Sequence, residues 1–141
     1  MATTHGEVHK VAHATARIGT DRYHVDIQAG QHPLYADEPV DHGGADSGPT
    51  PFGLLLSGLG ACTAITLRMY ADRKDWPLEG LNVQLTYRVQ DGATRWIDRA
   101  ITLLGPLDDD QRARLAEIAE KTPVTKAVRA GTEIRTTIDR A

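Results

Sequence analysis

Leu81, Val83, Leu85, Tyr87 and Val89 alternate strictly with polar neighbours, the pattern of a strand that buries one face. Asp91-Gly92 follows, a strong short-range hairpin signal. The return strand runs from Thr94 to Leu104, with an apolar face at Ile97, Ile101 and Leu103 that Arg99 interrupts. Gly105-Pro106 stops it. Nearer the N-terminus, Tyr23, Val25 and Ile27 alternate with His24, Asp26 and Gln28, which predicts a strand within 22–29. Residues 6–16 are also β-like, with Gly19-Thr20-Asp21 as the turn between the two. The run HPLYADEP, 32–39, predicts a third short strand, and Pro39 to Pro49 is a Gly- and Asp-rich loop.

The period changes at Thr50. No charge appears from Thr50 through Leu67, and Arg68 begins a solvated end. Thr50-Pro51 is an N-cap hydroxyl followed by proline at the first helical position, and Trp76-Pro77 marks the stop, so one long helix is expected between them. It lacks a polar face over most of its length and must be covered. A membrane span is the rival. The uncharged run is marginal for ~30 Å of hydrocarbon and contains Gly53, Ser57, Gly58, Gly60, Thr63 and Thr66, so a core helix is the expectation and no membrane is involved. Gly53, Ser57, Gly60 or Ala61, and Ala64 repeat at helical spacing and would let a second helix approach closely. Asp108 then caps a further helix, with Gln111 completing a capping box, and Leu115, Ile118 and Ala119 form its apolar face. Pro123 interrupts it or starts a short successor ending near Gly131. Ile134 and Ile138 predict a closing strand in TEIRTTID. Strands, long helix, hairpin, helix and strand make an α+β protein with a mostly antiparallel sheet on a buried helix. One sheet covers one side of that helix; the same helix of a second subunit would cover the other, so a homodimer is expected.

Composition narrows the chemistry. The chain has 141 residues, enough for one domain with a real core, and carries a net charge of −3. No basic stripe appears, so nucleic acid is not an expected partner. The N-terminus has no apolar signal core, and Cys62 is the single cysteine, so a cytoplasmic protein without an intrachain disulfide is expected. His5, His9 and His13 are four apart; on a strand such positions lie ~13 Å from each other, too far for one ion, and no metal or cofactor is expected. His32 and His42 read as exposed loop residues, and Arg68, Arg73 and Lys74 as a basic helix end suited to the helix dipole. A lone cysteine in an apolar helix is commonly a small inert core residue. The chemical alternative is a reactive thiolate.

The runs GGADSGPTPFGLLLSGLGACTAITLRMYADRKDWPLEG and IDRAITLLGPLDDDQRARLAEIAEKTPV, together with HPLYADEP, resemble the OsmC/Ohr family of osmotically inducible and organic-hydroperoxide-resistance proteins. The resemblance covers most of the chain, and GPTP, ACTA and MYADRK mark an OsmC-like branch. It implies a single OsmC-like domain over 1–141, an intertwined homodimer built on two long central helices, and active sites between subunits. The best-known members reduce peroxides with two cysteines, assisted by an Arg and a Glu. Cys62 matches the peroxidatic cysteine. The resolving Cys-Pro-Val reads Thr122-Pro123-Val124 here, and Phe52-Gly53 follows Pro51 where the family's Glu stands. The assisting Arg would be Arg22 or Arg17. The resemblance thus implies a thiol-dependent hydroperoxide reductase in which an external thiol resolves Cys62. The alternative is a non-catalytic dimeric binding protein for a small apolar or thiol-reactive ligand.

Overall fold

The computed structural model describes residues 6–140 and divides the chain into two compact units, split after Leu54. In the first, β1 (Ala14–Arg17), β2 (Val25–Ala29) and β3 (His32–Ala36) form an antiparallel meander with β2 in the middle. Arg17 stands opposite Asp26, and Val25 opposite Ala36. The strands are shorter than the sequence pattern suggests. Residues 6–13 take no strand structure, and Val8 and Val11 are almost fully exposed, because no neighbouring strand among the described residues offers a ladder to that stretch. His5 lies outside the described residues; His9 and His13 are exposed. Among the described residues no group of three His, Cys, Asp or Glu side chains is placed to hold a metal.

The loop after β3 is organised by Asp37, which is buried. Its carboxylate accepts the amides of Tyr23, Glu38, Ala45 and Ser47 and the Ser47 hydroxyl, the last at 2.6 Å. These bonds, led by that from the Ser47 hydroxyl, hold its carboxyl well below the usual carboxylate range. Gly44 sits against the loop so closely that a Cβ would lie 2.0 Å from the Glu38 carbonyl oxygen. The clasp fixes where the chain enters its long helix.

Helix α1 (Pro51–Arg73) starts as its sequence requires: the Gly53 amide donates to the Thr50 hydroxyl at 3.1 Å, with proline at the first position. It ends before Trp76-Pro77, where Asp75 turns left-handed at φ 54°. In the second unit, β4 (Gly80–Gln90) and β5 (Thr94–Leu104) form a two-stranded antiparallel sheet, Leu85 facing Arg99 and Tyr87 facing Ile97. The Asp91 and Gly92 φ angles, 52° and 68°, supply the positive values a primed hairpin turn needs. Helix α2 (Asp109–Ala119) opens with the complete Asp108–Gln111 capping box, and Pro123 begins a separate helix α3 (Pro123–Ala130) rather than kinking α2. The core joins Leu67 and Ala71 of α1 to Leu78, Leu107, and Leu115 and Ala119 of α2.

One expectation needs correction. Residues 131–140 form no strand, and Ile134 and Ile138 are exposed, since the segment has no ladder partner among the described residues. Within the chain Gly60 lets β4 approach, as a Cβ there would lie 2.9 Å from Leu85 Cδ1, while Ser57 is exposed. By length and apolar composition α1 could cross a membrane, with a mean hydropathy of 1.5 over its most apolar window. Its packing against Leu78 and α2 makes it the core helix of this unit.

Candidate functional site

Helix α1 buries one side only. Its buried positions are Leu59, Thr63, Leu67 and Ala71, each one turn from the next. The far side carries Leu55, Ile65 and Met69, exposed by 41%, 54% and 58%. Cys62 stands two turns from both Leu55 and Met69 and so belongs to this apolar, uncovered side. Its thiol is half-buried, and its polar neighbour among the described residues is the Thr66 hydroxyl at 4.0 Å. The cysteine is therefore not sealed in the core.

Thr122, where the sequence resemblance would put a resolving cysteine, is fully buried. It caps α3: its hydroxyl accepts the Thr125 amide at 3.3 Å and lies 2.6 Å from the Thr125 hydroxyl. Arg99 completes this cluster. Its Nη1 donates to Thr63 at 3.1 Å and Thr125 at 2.8 Å, and its Nη2 donates to the Ala119 carbonyl at 3.0 Å. Nη2 also meets Glu120 at 3.4 Å, and Arg129 reaches the same carboxylate. Arg129, then Arg99, hold the Glu120 carboxyl below its ordinary range against a smaller opposing effect of burial. The cation that breaks the apolar face of β5 is thus fully used. It ties the helix residue after Cys62 to the end of α2 and the start of α3. The irregularity was visible in the sequence, but its partners lie far along the chain and no spacing pattern announces them.

Beside this cluster the second unit holds a cavity of about 590 Å³, within the size range of small-molecule sites. Leu59, Ile97, Trp96 and Val128 give it apolar walls, and Arg95, Arg99, Arg129 and Glu120 give it charge. Arg17, in β1, and Arg22, in the turn before β2, belong to the first unit and are exposed. Neither makes a side-chain hydrogen bond or ion pair among the described residues. Arg68, expected to be a solvated helix end, donates to the Leu78 carbonyl at 2.7 Å as well as to Asp72.

The antiparallel strands, the long helix that carries the lone half-buried cysteine and the two short helices make this an α+β protein. The chain belongs to the OsmC-like protein family, whose model matches residues 43–137. No curated protein matches it. Among solved structures it is similar to an OsmC-like protein from Mycoplasma pneumoniae, at 18% identity and TM-score 0.73, covering 86% of this chain and 89% of that one. It is also similar to an organic hydroperoxide resistance protein from Legionella pneumophila, at 21% identity and TM-score 0.63, covering 87% and 92%. The organic hydroperoxide resistance protein OhrB of Bacillus subtilis aligns at 21% identity and TM-score 0.59, covering 85% and 91%. At these identities the likeness establishes the fold.

Proposed function

We propose that this protein is a thiol-dependent hydroperoxide reductase that uses Cys62 and an external thiol. The observation that carries the proposal is the position of Cys62: half-buried on the side of α1 that the core leaves open, rather than sealed beneath it. Membership of the OsmC-like family and neighbours named for organic hydroperoxide resistance support the same chemistry. The Cys62 thiolate attacks the O–O bond, takes the terminal oxygen as a sulfenic acid and releases an alkoxide, which a proton turns into an alcohol. The chain has no other cysteine, and Thr122 holds the resolving position. An external thiol therefore condenses with the sulfenic acid, releasing water and leaving a mixed disulfide. A second thiol attacks that disulfide and frees Cys62. Arg22 or Arg17 would favour the thiolate. A second copy of the chain would cover Leu55, Ile65 and Met69, giving a homodimer with Cys62 at its interface. Cytoplasmic residence fits the need for an external thiol.

The test is a thiol-coupled hydroperoxide assay on wild type, Cys62→Ser, Arg22→Ala and Arg17→Ala. Peroxide consumption should require added thiol, vanish in Cys62→Ser and fall in one arginine variant. Equal rates in wild type and Cys62→Ser would discard the proposal and leave a dimeric binding protein for a small apolar or thiol-reactive ligand.

A further inference from the structure

We infer that the cavity beside α3 is a binding site for a small organic anion with a flat apolar body, an aryl carboxylate being the best match. Residues 95, 97 and 99 alternate onto the same face of β5, opposite Val89, Tyr87 and Leu85 of β4. That face is otherwise apolar, yet it carries two arginines. Arg99 is satisfied by Thr63, Thr125, the Ala119 carbonyl and Glu120. Arg129 is held by Glu120, whose carbonyl and carboxylate it both reaches. Arg95 has no hydrogen bond or ion pair among the described residues. Three guanidinium groups therefore line the cavity against one carboxylate, in a chain whose net charge is −3. The local surplus is positive where the molecule as a whole is negative, and opposite charge is what it lacks.

The shape of the ligand follows from the walls. A guanidinium fork pairs a carboxylate through two parallel bonds, and Arg95 is the fork with its donors uncommitted. Leu59, Ile97 and Val128 offer apolar contact for the rest of the molecule. Arg99 and Arg129 lie fixed by Glu120 and the threonines, so the positive field is built before any ligand arrives. The site does not depend on the thiol, and binding is separable from peroxide chemistry by working in the Cys62→Ser protein.

The experiment is isothermal titration of that protein with 2-naphthoate, with the neutral 2-naphthylmethanol as its partner probe. Naphthoate should bind at least about tenfold more tightly than the alcohol, since a hydrogen bond to a charged group contributes about that factor or more. Arg95→Gln should remove most of the difference while leaving the weak binding of the alcohol unchanged, and Arg95→Lys should restore part of it. Arg95 is exposed and makes no hydrogen bond or ion pair among the described residues, so circular dichroism and the thermal midpoint of Arg95→Gln should match the parent. Equal affinity for the two probes, no measurable naphthoate binding, or naphthoate binding that ignores Arg95→Gln would each overturn the inference.

Discussion

Thr122 is a buried helix cap at the position where the sequence resemblance would put a second cysteine. Its hydroxyl serves the N-terminus of α3 and packs against Thr125 in a fully buried position. Replacing it with Cys removes a helix cap and should cost about 1 kcal/mol, whereas Thr122→Ser should keep most of the stability; urea unfolding compares them. Asp37 carries a different kind of dependence. Hydrogen bonds from Ser47, Glu38 and Tyr23 depress its pKa in the folded state. A depressed carboxyl contributes stability that is fully present above its unfolded value, ~3.9, and is lost as pH falls through the folded one. Asp37→Asn should therefore lower the thermal midpoint at neutral pH, and the gap to wild type should narrow as pH drops below ~4. A constant gap across that range would show that the charge is not what holds the loop.

Helix α1 owes its place to a single buried side. Leu67 is fully buried among Ala71, Leu115 and Ala119, so Leu67→Ala should destabilise the protein by roughly 2–5 kcal/mol, read by chemical denaturation. The helix, its Thr50-Pro51 start, the hairpin around Asp91-Gly92 and the capping box at Asp108 were all legible in the sequence, because each rests on local chemistry within a few residues. The terminal strands were not. A β-like stretch over 6–13, or Ile134 and Ile138 on one strand face, states a preference for burial but does not supply the neighbouring ladder, and the described residues supply none. The candidate site was half legible. Cys62 stood out as the lone thiol, and Arg99 as an interruption. The cluster that consumes Arg99 depends on Thr63, Ala119, Glu120 and Thr125, which meet only in the fold.

The whole molecule presents an apolar helix face that its own core does not cover. If a second copy covers it, the sedimentation mass at micromolar concentration should be about twice the 15.4 kDa of the chain. Ile65→Glu, on the exposed side, should shift that mass toward a single chain while α-helical content is kept; an unaltered mass would move the interface elsewhere. The central claim concerns the thiol, and intact-mass analysis after graded organic hydroperoxide treatment tests it most directly. Without added thiol, wild type should gain one oxygen at Cys62 at low peroxide and two or more at high peroxide, as sulfenic acid passes to sulfinic. With a small thiol present the product should be the mixed disulfide, and Cys62→Ser should show none of these species. A wild-type mass that stays unchanged at peroxide levels well above the protein concentration would contradict the account.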